Sequence, residues 1–179
     1  SAASDVYKRQ GTSSPSERTE VAVALVDGLI YVVGGFEKPN FLHFSRITVS
    51  RKVEAYSPAT NRLIRKASLP IGLHHAGAIA LKNHLYVVGG FIVSGGSIWR
   101  PSNHLFRYSP KTDKWEERAI LPTPRGGLAV TTLQGKIYTI SGYDGETNPS
   151  VVEVYDPQID SWDSVASLPT PRDLSLIHI

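Results

Sequence analysis

The 179-residue chain contains no cysteine and no methionine. Without cysteine there is no disulfide, no thiol nucleophile and no thiolate metal site. That excludes chemistry but leaves the cellular compartment open. No run of 18 apolar residues occurs, so no segment reads as a membrane-spanning helix. An excess of one charge is also missing: 19 Lys+Arg stand against 16 Asp+Glu, a formal net charge of +3. Nucleic-acid binding needs a clustered basic face, and this balance makes no case for one. The triplet Asn148-Pro149-Ser150 is disqualified as a glycosylation acceptor by its proline. Gly34-Gly35 and Gly89-Gly90 lack the lysine and following helix of a phosphate loop.

What is present is a repeat. Leu29-Ile30-Tyr31-Val32-Val33-Gly34-Gly35 is echoed by Leu85-Tyr86-Val87-Val88-Gly89-Gly90 and by Ile137-Tyr138-Thr139-Ile140-Ser141-Gly142. A period near fifty residues, built of short strands, is the mark of a β-propeller. Asp27-Gly28, Lys82-Asn83 and Gln134-Gly135 precede these strands and suit two-residue turns. Each unit therefore opens with a hairpin: 20–26 with 29–34, 75–81 with 84–89, and 127–133 with 136–141. A second phrase follows at Val53-Glu54-Ala55-Tyr56-Ser57-Pro58, Leu105-Phe106-Arg107-Tyr108-Ser109-Pro110 and Val152-Glu153-Val154-Tyr155-Asp156-Pro157. Leu63, Trp115 and Trp162 close it across a proline-bearing turn, which predicts a second hairpin. Two hairpins make a four-stranded blade.

The pattern predicts an all-β fold of three four-stranded antiparallel blades. It predicts twelve strands and no helix longer than two turns. Blade 1 is assigned to 11–70, blade 2 to 71–124 and blade 3 to 125–171, with 172–173 opening a fourth. Closed propellers have about four to eight blades, so three are expected to form an open arc. The glycine strands are continuously apolar, which predicts cover on both faces by neighbouring blades. Trp115 and Trp162 are expected to be buried between blades. Trp99, at no repeat position, is expected to be more exposed.

These motifs resemble the kelch family: a leading Arg, a turn glycine, Tyr-x-x-Gly-Gly, Tyr-Asp-Pro, Trp and a proline exit at Leu69-Pro70, Leu121-Pro122 and Leu168-Pro169. The resemblance runs from residue 18 to 172. Ser141 replaces a glycine, Leu63 a tryptophan and Leu73 an arginine.

The two ends do not fit the repeats. Asp5 to Gln10 back-translates as GAT GTG TAT AAG AGA CAG, and the reverse complement of that string encodes Leu174 to Ile179. Residues 1–10 and 174–179 are therefore expected to be translated sequencing-adapter ends flanking an internal piece of a gene. Setting aside Lys8, Arg9 and Asp5 leaves 17 Lys+Arg against 15 Asp+Glu, about +2.

Propellers place function on loops at one end of the channel. Loops 36–50, 91–103 and 143–150 and the inter-blade segments 67–74, 119–126 and 166–172 are assigned to that end. Trp99 and Arg100 in the glycine-bearing loop 91–103 are candidate interface anchors, or they pack on their own loop. Phe36, Phe41, His43 and Phe44 similarly line a pocket or fold loop 36–50 on itself. The kelch resemblance implies that Arg18, Arg125 and Arg172 contact ligand at the channel mouth, which would favour acidic ligands. The competing reading has each of them bonding loop carbonyls of the next blade. His74 and His75, as strand neighbours, are expected to point to opposite faces and not to share a metal. His75 is the channel-facing candidate. No metal or cofactor pattern is present.

The leading functional expectation is a binding module presenting a protein, peptide or glycan site on the loop face. The alternative is an enzyme for an acidic sugar, similar to sialic-acid epimerases, using Arg125, Arg172 and His75. A copper radical oxidase, also kelch-like, needs a cysteine joined to tyrosine and is not supported by this chain.

Overall fold

A computed structural model describes residues 11–37 and 48–172. The tails 1–10 and 174–179, and Phe41, His43 and Phe44, lie outside the described residues. The first unit contains β1 (Arg18–Thr19), β2 (Ala22–Val26), β3 (Leu29–Val33), β4 (Phe36–Glu37), β5 (Thr48–Val49), β6 (Val53–Ser57) and β7 (Arg62–Lys66). The second contains β8 (Gly77–Leu81), β9 (His84–Val88), β10 (Phe91–Ser94), β11 (Ser97–Pro101), β12 (Leu105–Ser109) and β13 (Lys114–Arg118). The third contains β14 (Ala129–Leu133), β15 (Lys136–Ile140), β16 (Val152–Asp156) and β17 (Ser161–Val165). No helix occurs among the described residues.

Three four-stranded sheets, β2-β3-β6-β7, β8-β9-β12-β13 and β14-β15-β16-β17, are the expected blades, each antiparallel and in sequence order. The expected twelve strands are thus present, with five more. Those five come from segments read as connections: β1-β4-β5 form a small sheet and β10-β11 a hairpin.

The local causes repeat from blade to blade. Asp27-Gly28, Lys82-Asn83 and Gln134-Gly135 all have positive φ at both residues, the two-residue turn whose twist matches that of paired strands. Asn61, Asp113 and Asp160, also at positive φ, bend the second hairpin. The side chains of Asp113 and Asp160 then reach the preceding unit, while that of Asn61 accepts from Thr12 and Tyr56 of its own. Asp113 accepts the Ala67 amide at 2.9 Å and Asp160 the Ala119 amide at 3.0 Å. Trp115 and Trp162 donate their indole N–H to the carbonyls of the same two alanines, each at 2.8 Å. Every tryptophan blade thereby clasps its neighbour at one residue through both backbone groups. Trp115 and Trp162 are half-buried rather than buried, because this clasp sits on the outermost strand at the rim.

Blade 2 lies between the other two, with β8 packed against both β2 and β14. Two apolar clusters fill the junctions. One joins Tyr31, Val33 and Val53 of blade 1 to Leu85, Val87 and Tyr108 of blade 2. The other joins Tyr86, Val88 and Leu105 to Ile137 and Tyr155 of blade 3. Cover on both faces holds for β9, which is buried from Leu85 through Val88. It does not hold for β15, where burial alternates along the strand. Among the described residues, no fourth blade covers that side, and the three blades form an open arc.

The glycine pairs belong to these junctions. A Cβ on Gly34 would stand 2.3 Å from the Leu73 carbonyl oxygen, and one on Gly89 would stand 2.4 Å from that of Arg125. Ser141 occupies the equivalent place at φ 51°. Its hydroxyl turns the close approach into a hydrogen bond to the Arg172 carbonyl.

Candidate functional site

The loop end is built around the residue two places after each leading position: Glu20, His75 and Gly127. All three have positive φ. The His75 amide donates to the Glu20 carbonyl at 3.2 Å, and the Gly127 amide donates to the His75 carbonyl at 2.9 Å. This backbone chain ties the three units together around the mouth.

The left-handed turn at His75 overturns the expectation that the two histidines point apart. Their Nδ1 atoms are 2.7 Å from one another. His74 Nε2 lies 2.7 Å from the Ile98 carbonyl oxygen, which can only accept, so this nitrogen carries a proton. A neutral His74 then accepts at Nδ1, and His75 donates to it. His75 Nε2 in turn faces Glu20 Oε2 at 3.1 Å. Only a protonated His75 donates at both nitrogens. Burial, the dominant influence, holds both rings below the ordinary histidine pKa, against smaller upward pulls from the Ile98 carbonyl on His74 and from Glu20 on both. Among the described residues, no group of three His, Cys, Asp or Glu side chains is arranged to hold a metal.

Hairpin β10–β11 stands on this base. Gly95 and Gly96, at φ 59° and 82°, form its two-residue turn. Phe91 pairs with His74 through both backbone groups, at 2.9 and 3.2 Å. Trp99 then leans on His74, His75 and Phe91, with ring centroids 5.2, 5.4 and 5.4 Å away. Phe36 stacks on His74 at 4.1 Å. One edge of Trp99 is therefore fixed by buried rings, while the residue stays 47% exposed. Arg100, its strand neighbour, points the other way and donates to the Ser94 hydroxyl at 2.9 Å.

Two of the leading arginines, Arg125 and Arg18, turn into their blades rather than to the mouth. Arg125 is fully buried. Its guanidinium donates to Glu153, to the carbonyls of Ser141 and Thr123, and to the Thr139 hydroxyl. Arg18, with a side chain 2% exposed, pairs with Glu54 at 2.6 Å and donates to the carbonyls of Gly34 and Lys52. These are carbonyl contacts, as in the competing reading, but to the arginine's own blade and, for Arg125, to Thr123 in the segment leading into it, and each charge is neutralised by a glutamate that sequence reasoning missed. The signal was available. Units 1 and 3 pair Arg18 with Glu54 and Arg125 with Glu153, whereas unit 2 has Leu73 and Phe106, which bury in one apolar cluster. Arg172 is exposed, and its backbone is held by Ser141 and Gly142. Of the six candidates, His75 and Trp99 come together; Arg18, Arg100, Arg125 and Arg172 do not join them.

An open cavity of about 470 Å³ adjoins Trp99. Pro101, Thr123 and Pro124 line one side, and Asp144, Gly145 and Glu146 of the third unit line the other. Asp144 is fixed by the amides of Glu146 and Thr147, at 2.9 and 2.7 Å, and by the Thr147 hydroxyl at 3.0 Å. The Thr147 amide, then that of Glu146, holds its carboxyl below the usual carboxylate range. Neither acid was singled out from sequence, because loop 143–150 carries no repeat motif.

Comparison with known proteins agrees with this architecture. The Kelch motif model matches residues 17–62, 72–122 and 124–169. Beta-scruin of Limulus polyphemus is 30% identical over 142 residues, covering 79% of this chain and 15% of that protein. Kelch-like protein 35 of Mus musculus is 29% identical over 139 residues, covering 76% and 21%. Kelch repeat and BTB domain-containing protein 1 of Cowpox virus (strain GRI-90 / Grishak) is 29% identical over 143 residues, covering 79% and 24%. The chain thus spans less than a quarter of each of these relatives. The solved structure of YjhT superimposes with a TM-score of 0.71 at 20% identity, over 87% of this chain and 54% of that one. With the motif matched in all three blades, and the blades built from it, the chain belongs to the kelch-repeat family.

Proposed function

We infer that the chain is a protein-interaction module whose partner docks on the loop face, with Trp99 as anchor. One observation carries this reading: Trp99 is half-exposed, belongs to no repeat position, and is held by buried rings on a hairpin that blade formation does not require. An aromatic ordered before binding contributes area at little further entropic cost, which is how interface hot spots work. The kelch motif and the Kelch-like relatives support an interaction role. Glycan binding on the same tryptophan is the finer alternative. An enzyme for an acidic sugar draws less support, because Arg18 and Arg125 are committed inside their blades.

The test is selection of a phage-displayed peptide library on the protein, followed by binding to variants. Selected peptides should bind Trp99→Ala at least about tenfold more weakly. They should bind Leu133→Ala, at the opposite end, as they bind the parent. Equal binding to both variants, or loss at Leu133→Ala alone, would overturn the reading.

A further inference from the structure

The groove beside Trp99 has a definite chemical character. Its carboxylates, Asp144 and Glu146, are paired with no Lys or Arg among the described residues, whereas the interior arginines are matched one to one with glutamates. The acid-bearing loop is held in place. Gly145, at φ 100°, lies against Pro101, where an added Cβ would stand 3.5 Å from the proline ring. Tyr143 pairs with Gly126 through the backbone, packs on Phe91 at 6.2 Å and donates its hydroxyl to the Gly145 carbonyl at 2.8 Å. Trp99 and Asp144 are therefore held on opposite sides of one space before any ligand arrives, with Glu146 beside them.

We propose that this groove takes a basic side chain, lysine or arginine, from a partner peptide, its charge against Trp99 and its N–H donors directed to Asp144 and Glu146. An exposed indole attracts a cation through its quadrupole, and a charge-assisted hydrogen bond to carboxylate adds direction. The carboxylates without basic partners supply the complementarity. Glu146 is exposed and closes on the ligand, while Asp144 is already oriented. This specificity is opposite in sign to the acidic preference that a mouth lined by arginines would give, and it rests on the loop-face reading above.

The experiment follows the three indole N–H resonances of the ¹⁵N-labelled protein during titration with the peptide acetyl-Gly-Arg-Gly-amide at low salt. The neutral citrulline analogue and acetyl-Gly-Glu-Gly-amide are the controls. The Trp99 indole should shift saturably with the arginine peptide and not with either control, and Trp115 and Trp162 should stay in place. Asp144→Asn and, separately, Glu146→Gln should each weaken the arginine peptide at least about threefold, with the other indole signals unchanged to show an intact fold; the first substitution keeps the turn's acceptor. Equal response to citrulline, preference for the glutamate peptide, or no Trp99 response would overturn the proposal. Library peptides that require Trp99 but carry no Lys or Arg would also overturn it while leaving the loop face standing as the interaction surface.

Discussion

At the scale of single residues, Arg125 and Glu153 show why a motif position and its role are separate questions. Both are buried, and each satisfies the other. Removing one partner of such a pair leaves an uncompensated charge, which costs about 3–5 kcal/mol. Arg125→Ala is expected to lower the urea midpoint accordingly. Arg125→Leu combined with Glu153→Phe copies Leu73 and Phe106 of blade 2 and should recover most of the loss; a double variant as unstable as the single would contradict the pairing. The arginines were legible in sequence as repeat positions. Their inward direction was not, because it depends on a glutamate some thirty residues away across the sheet. The histidines carry a pH dependence. Both folded-state pKa values lie below 6.5, so folding favours the neutral rings. Their contribution is complete above pH 6.5 and is lost as pH falls through the folded values. His74→Phe keeps the ring packing without a titrating group, and its stability should fall less between pH 7 and 5 than that of the parent. An identical slope in urea melts across that range would refute this assignment.

At the scale of elements, the blades were readable because turn chemistry and apolar strands recur at one period. The repeat spacing assigns 91–103 to a loop, although Ser94-Gly95-Gly96-Ser97 lies between Phe91-Ile92-Val93 and Ile98-Trp99-Arg100, a two-residue turn flanked by strand-forming residues that forms the hairpin β10–β11. The repeat spacing drew attention to shared positions, and an element unique to one unit fell outside it. The tryptophan clasps are shared, and they make a graded prediction. Trp115→Phe keeps an aromatic against Tyr108 and loses only the hydrogen bond to Ala67, a cost of about 1 kcal/mol. A loss several times larger in chemical denaturation would mean that the indole fills more of the junction than its half-buried state allows. Acrylamide should quench Trp99 more than either clasp tryptophan. Equal quenching of the three single-tryptophan variants would contradict their placement.

At the scale of the whole molecule, the three blades form an arc whose loop end is chemically distinct from its turn end. The loop end carries the ordered rings around Trp99 and the acidic groove; the turn end carries Leu25 and Leu133, each exposed from its own hairpin. The near-neutral charge balance hides this arrangement, since charges absorbed in buried pairs and charges left on a rim count alike in composition. Which end is used is the central question, and hydrogen–deuterium exchange with and without the strongest library-selected peptide answers it directly. Slowed exchange is expected in β10–β11 and in 143–147, with no change at Asp27-Gly28, Lys82-Asn83 or Gln134-Gly135. Protection at those three turns, with 91–101 unaffected, would contradict the account.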